Sequence, residues 1–311
     1  MLDVKRMRVL REVAAQGSFS GAAESLAYTQ SAVSQQIATL ERETGTAMVE
    51  RNARGVRLTE AGRALVAHTD AVLARLADAE AELEAIAGLR GGRLRLASFP
   101  SAGATIMPMA IARFRKQHPG VELTLEPQEP AEGIDRLRAG QCDIALTVED
   151  PLLRSQDDGI ERVHLLDDPL FVVLPADHTL AHTPRLKLAD LADEAWMLGS
   201  TTRCPDSKIL LRACEKAGFE PRIAFQSDDY LAIQGFVAAG VGICLIPDLA
   251  LISVRDDVVI RSLGPKPPAR RILAATLQGA FRAPATQAML DVLVSVGEDF
   301  EANRRTLALA S

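Results

Sequence analysis

Two short helical runs separated by only three residues constrain this chain more than anything else in it. Val4–Gln16 places Met7, Leu10 and Val13 at three-residue spacing, one face of a helix, and Gly17 supplies a left-handed stop. A second run, capped at Ser20 and ending at Leu26, buries Ala22, Ala23 and Leu26. Only Ala27-Tyr28-Thr29 intervenes before Thr29 caps a third run, with Val33, Ile37 and Leu40 at i, i+4 and i+7. So tight a turn between two short helices is the helix-turn-helix pattern, and it predicts an all-α head.

The third helix turns a distinctive face away from that core. Gln30, Ser31, Ser34, Gln35 and Ala38 offer amides and small hydroxyls where a merely solvated face would carry Glu and Lys. Such groups suit base edges, since a Gln amide can pair with adenine through two hydrogen bonds and Ser can donate or accept. Beyond it, two β-prone runs flank Arg54-Gly55 and predict a small hairpin, or wing. Its arginines, Arg51, Arg54 and Arg57, are placed for phosphates or a narrow minor groove.

Phe19-Ser20-Gly21-Ala22-Ala23-Glu24-Ser25-Leu26 and Thr29-Gln30-Ser31-Ala32-Val33-Ser34-Gln35-Gln36-Ile37 together resemble the helix-turn-helix of the LysR family. Leu40-Glu41, Glu50-Arg51 and the run from Gly55 to Gly62 continue the match in register. Gln35 stands where the family often has Arg or His, and Met48-Val49 where it has Leu-Phe. The first departure bears on which bases are read. The resemblance implies that double-stranded DNA with a pseudo-palindromic operator is the partner, with RNA polymerase a further one. Candidate DNA contacts are Ser18, Phe19, Ser20, Thr29, Gln30, Ser31, Ala32, Ser34, Gln35, Gln36, Arg51, Arg54 and Arg57.

Thr59 caps a long helix, with Glu60 near its positive end. Leu65, Thr69, Val72, Leu76, Ala79, Leu83 and Ile86 alternate steps of four and three, which is a heptad seam. Some 30 residues give roughly 45 Å of helix, too long to be buried in one small domain. Gly88, Gly91 and Gly92 end it. The resemblance implies a paired stalk, with Leu65, Val72, Leu76, Leu83 and Ile86 as the dimerisation residues of a homodimer or homotetramer.

From residue 93 strands and helices alternate. Strands are expected at 93–97, 121–126, 143–147, 170–174, 196–198, 222–226, 242–246 and 271–277, and helices at 106–117, 131–139, 206–217, 229–239 and 284–303. That spacing predicts α/β units with mostly parallel sheets. Two such units resemble the paired subdomains of a periplasmic-binding-protein fold. The expected organisation is a winged helix-turn-helix over 1–62, a linker helix over 63–91 and an effector domain over 92–300. Within that domain, subdomain I takes 92–164 and 267–300, and subdomain II takes 165–266.

Ligands of open α/β sheets bind at the carboxyl ends of strands, near helix N-termini. Those ends carry Ser98, Pro100, Ser101, Ala102 and Thr147, then Ser200, Thr201, Thr202 and Arg203. Hydroxyls, helix N-termini and Arg203, the single cation of these loops, point to a small anionic effector.

Net charge is −6, so any basic DNA surface must be local to the head. No apolar run approaches a membrane span, and Met1-Leu2-Asp3-Val4-Lys5-Arg6 lacks the pattern of a secretory signal, so a cytoplasmic protein is expected. Cys142, Cys204, Cys214 and Cys244 show no CxxC spacing, and neither a metal nor a cofactor is expected. No G-x-S-x-G, phosphate loop or H-E-x-x-H is present, which argues against an enzyme. Two alternatives stand beside the main reading: a redox-sensing regulator using Cys204 and Cys214, and a cytoplasmic solute-binding protein without DNA function.

Overall fold

The computed structural model describes residues 2–52, 55–86, 92–149, 159–199, 204–278 and 282–310. Contacts divide the chain into two compact units, residues 1–92 with 135–142, and 93–134 with 143–311.

In the first unit, α1 (Val4–Gln16) starts where Asp3 accepts from the backbone N–H of Lys5 and Arg6, and ends at Gly17 with φ 62°. That left-handed glycine turns the chain directly into α2 (Phe19–Ser25). The cap of α2 is therefore Ser18, extended at φ −155° and accepting from Gly21 N–H at 3.0 Å, and not Ser20 as expected. Ala27, at φ 54°, forms the turn, and Thr29 caps α3 (Gln30–Thr44) by accepting from Ala32 N–H. Met7, Leu10, Val13, Ala22, Val33, Ile37 and Leu40 close one core.

The strands β1 (Val49–Asn52) and β2 (Gly55–Leu58) pair antiparallel, Val49 opposite Leu58, as the expected wing. Glu41 fastens the wing to α3, its carboxylate accepting from Met48 and Val49 N–H. Next comes α4 (Glu60–Ile86), capped by the Thr59 hydroxyl, which accepts from Gly62 N–H. Gly62 is obligatory: a Cβ there would run into the Met48 carbonyl oxygen.

The second unit contains β3 (Gly92–Ser98), α5 (Pro100–Ala104), α6 (Ile106–Gln117), β4 (Val121–Pro127), α7 (Pro130–Arg138), β5 (Ile144–Val148) and β6 (Ile160–Pro175). It continues through β7 (Ala195–Leu198), α8 (Pro205–Ala217), β8 (Arg222–Gln226), α9 (Tyr230–Ala238), β9 (Cys244–Pro247), β10 (Val258–Arg261), β11 (Ala269–Leu277) and α10 (Pro284–Ala310), while the last turn of α7, from Asp135, is counted with the first unit. The main sheet runs β10-β6-β11-β5-β3-β4, with β9 also on β6; β7 and β8 form a parallel pair.

Mostly parallel sheets were expected, and the pairing is mixed. Strands β3 and β5 are parallel, but β6 is antiparallel to β9, β10 and β11. The reason is that β6 is sixteen residues long and serves two cores. Its Leu165 and Leu166 join the core of β3, β5, α6 and α10, whereas Leu170, Val172 and Leu174 join that of β7, α8 and β9. The expected strand at 170–174 was only its second half. The charged run Glu161-Arg162 and Asp167-Asp168 concealed the first.

Candidate functional site

The head presents α3 outward. Gln30, Ser31 and Gln35 are exposed, Ser34 and Gln36 half-buried, while Val33, Ile37 and Leu40 are buried beneath them. Ala32 is half-buried, and Thr29 is exposed with its hydroxyl spent on the cap and 3.0 Å from that of Ser31. Ser20 is exposed and Ser18 half-buried. Phe19, expected among the DNA contacts, lies in the head core instead, because the helix begins at it and turns its ring inward. On the wing Arg57 is exposed and Arg51 sits in β1; Arg54 lies outside the described residues.

Along α4 the seam divides. Leu65 is buried in the head core at 8% exposure, Thr69 Oγ1 donates to the Leu65 carbonyl, and Val72 packs half-buried against the same core. Leu65 and Val72, expected to meet a second subunit, thus cover this chain's own head. Leu76 and Leu83 are 47% and 66% exposed. The side chain of Ile86 lies outside the described residues.

In the second unit a cavity of about 50 Å³ opens where the N-terminal ends of α5 and α8 converge. Its lining includes the Arg270 guanidinium, buried at the start of β11. Arg270 Nε donates to Asp168 Oδ2 at 2.8 Å, Nη1 to Asp206 Oδ1 at 3.0 Å and Nη2 to Ser101 Oγ at 2.5 Å. The Phe99 ring covers it, 5.1 Å from centroid to Cζ. Asp168 also accepts from Leu249 N–H, and Tyr230 Oη donates to Asp206 at 2.6 Å. One side chain thereby ties the strand crossover to the first turns of α5 and α8.

Burial pushes the Asp168 carboxyl up to about 6, with Arg270 pulling the other way. Glu129, which also lines the cavity, is pushed up as well, first by burial and then by Asp228, Asp206 and Glu132. Burial, with Asp206 beside it, likewise raises the Cys204 thiol, and burial raises Cys214 to about 11. Both stay protonated near neutrality, away from the thiolate that redox chemistry needs. Ten residues of α8 rise roughly 15 Å, whereas a disulfide needs Cα atoms within about 7 Å, so this arrangement does not bridge them.

Of the residues expected at the effector site, Pro100 and Ser101 line the cavity. Ser98, Ala102 and Thr147 do not: Ala102 lies in the core, Ser98 turns its hydroxyl onto the Phe99 carbonyl, and Thr147 is buried within β5. Ser200, Thr201, Thr202 and Arg203 lie outside the described residues. Sequence reasoning missed Phe99, Glu129, Asp206, Tyr230 and Arg270. Asp168 and Arg270 each lie beside a second charged residue at the edge of an apolar run, 170–174 and 272–275, which hid them.

The family described as "Bacterial regulatory helix-turn-helix protein, lysR family" matches residues 4–63, and "LysR substrate binding domain" matches residues 87–298. The probable HTH-type transcriptional regulator LrrA of Synechococcus elongatus is 32% identical over 94% of this chain and 96% of its own. A probable hydrogen peroxide-inducible genes activator of Mycobacterium avium is 32% identical over 86% of this chain and 85% of its own. Among solved structures, the LysR-family regulator CbnR superposes with a TM-score of 0.70 at 21% identity, covering 95% of this chain and 99% of that one. This chain belongs to the LysR family. It is a DNA-binding transcriptional regulator whose C-terminal part is a substrate-binding domain. Among the described residues no helix is long and apolar enough to cross a membrane.

Proposed function

We propose that residues 1–62 read an operator, residues 63–91 join two subunits, and residues 92–300 sense a small effector in the Arg270 cavity. The observation that carries the first part is the outer face of α3: amides and hydroxyls, without a carboxylate, mounted on a fixed core. Gln30, Ser31, Ser34 and Gln35 face base edges in the major groove, and Thr29, Gln36, Ser20 and the wing residues Arg51, Arg54 and Arg57 take the backbone. Leu76 and Leu83 form the self-association stripe. The protein acts in the cytoplasm by binding and not by catalysis.

The reading of the cavity as the effector site draws on the chemistry of Arg270. A side chain that contacts both subdomains reports any ligand that alters their separation. The direct test is a gel shift with the DNA upstream of the protein's own gene. Binding that is selective over a scrambled duplex is expected, and equal binding to both would refute the regulator reading of the α3 face.

A further inference from the structure

The three hydrogen-bond partners of Arg270 differ in what they join. Asp168 faces it across the pairing of β6 with β11, so these two are neighbours in one sheet. Asp206 opens α8, whose Leu210 and Cys214 belong to the second core. Ser101 lies on α5, whose Ala102 belongs to the first. One guanidinium thus bridges the two cores, through a buried carboxylate on one side and a buried neutral hydroxyl on the other. The far end of α5 is fixed separately. Thr105 Oγ1 donates to the Leu249 carbonyl, and Leu249 N–H donates to Asp168. Leu249 sits in the turn Asp248–Ala250 directly after β9, yet its side chain is buried in the first core. Chain arriving from the second core is anchored in the first at this point, which makes it a pivot. Ser101 stands at the other end of a short arm, about 6 Å of helix from Thr105.

We infer that the Arg270–Ser101 hydrogen bond is a latch between the two cores, and that it is the contact which gives way when they part. Relative strength decides which arm releases. Parting Arg270 from Asp206 would break a buried ion pair and leave opposite charges uncompensated, the costlier event. Parting it from Ser101 leaves Arg270 both of its carboxylates and costs one hydrogen bond. The Phe99 ring, at the N-cap of α5, makes no directional bond and lets the guanidinium slide beneath it. Arg270 therefore stays with Asp168 and Asp206, while α5 swings about the Thr105–Leu249 contact and the cavity opens on its α5 side. For the reading of the cavity as the effector site, on which this last step rests, α5 is the wall that an entering molecule moves.

The test compares the full chain with its Ser101→Ala and Tyr230→Phe variants. No effector is added, so the latch can fail without touching the effector reading. Both variants delete one hydroxyl from the network, but Tyr230 donates to Asp206 from α9 and does not join α5. Hydrogen exchange is followed at Gly103 and Thr105, whose amides bond to the Phe99 and Ala102 carbonyls, and at Lys208 in α8, bonded to that of Cys204. In Ser101→Ala the two α5 amides are expected to exchange about tenfold faster or more, the scale of one hydrogen bond to a charged group. Lys208 and strand β5 should be unchanged. Cys204, which lines the cavity, should also react faster with iodoacetamide, while the buried Cys142 and Cys214 should not. Unchanged exchange at α5 would overturn the latch. So would equal acceleration at Lys208 or in β5, which means general loosening, or equal acceleration at α5 in Tyr230→Phe. If Ser101→Ala does not fold, Ser101→Cys, close in volume but a poor acceptor, takes its place: faster exchange confined to α5 supports the latch, and none refutes it.

Discussion

Arg270 and Asp168 stand directly opposite each other in the antiparallel pairing of β11 with β6, both buried, with Nε to Oδ2 at 2.8 Å. Their pairing lies where β6 leaves one core for the other, so it holds the two subdomains at their shared strand.

Arg270→Met leaves Asp168 and Asp206 without their cation. Breaking a buried pair in this way costs about 3–5 kcal/mol. The chain's single tryptophan, Trp196, is buried in the second core, so its fluorescence follows unfolding of this domain. The expected outcome is a lower transition temperature, partly restored in the double variant Arg270→Met/Asp168→Leu. A double variant no better than the single would show that the pair is not what the arginine supplies.

Asp168 gives this domain a pH signature. Its carboxyl is raised from 3.8 to about 6 in the fold, so the folded state holds that proton more tightly than the unfolded one. Its contribution is fully present below about 4 and declines as pH rises through about 6. Wild type minus Asp168→Asn, followed by Trp196 fluorescence from acid to neutral pH, should show that decline. A flat difference would contradict the assignment.

On DNA, Gln30→Ala and Gln35→Ala should each cost about 1–3 kcal/mol and relax preference at one base position. Arg57→Ala should weaken all sequences alike and shallow the dependence on salt. Selectivity unchanged in Gln35→Ala would remove that residue from base contact.

Leu76→Lys/Leu83→Lys should abolish dimers in sedimentation and reduce operator affinity together, because two heads share one two-fold site. Both residues are exposed in the single chain, so the head itself should melt as before. A monomer that binds its operator as tightly as wild type would exclude this stripe.

Gly62→Ala tests the seat of α4 on the wing. The Met48 carbonyl it would strike is backbone and cannot rotate aside, so a loss of about 1–3 kcal/mol is expected, read as a lower melting temperature of the head. Unchanged melting would mean that α4 can slide.

The head was legible in the sequence because its signals are local: capping side chains, three- and four-residue apolar spacing, and a three-residue turn. The cap of α2 was displaced by two residues, from Ser20 to Ser18, because the chain turns at Gly17, and that earlier start carries Phe19 into the core. The cavity was less legible. Pro100 and Ser101 follow from the rule that ligands meet strand ends, but Ser98, Ala102 and Thr147 satisfy the same rule and face inward. Arg270 and Asp168 are 102 residues apart and meet only because β6 and β11 cross between cores, a relationship no local window contains. The seam of α4 was periodic throughout, yet period alone cannot tell a residue that covers its own head from one left outside.

That seam has a further consequence. Eleven residues separate Leu65 from Leu76 and eighteen separate it from Leu83, which at about 100° per residue puts all three within about 20° of one line. The head is keyed to the upper part of that line, and the self-association proposed for Leu76 and Leu83 falls on the lower, which would make the helix a phase coupler. Adding one residue between Val72 and Leu76 would leave each part folded but dial them about 100° out of step. Adding seven would bring them back within about 20° of alignment, merely further apart.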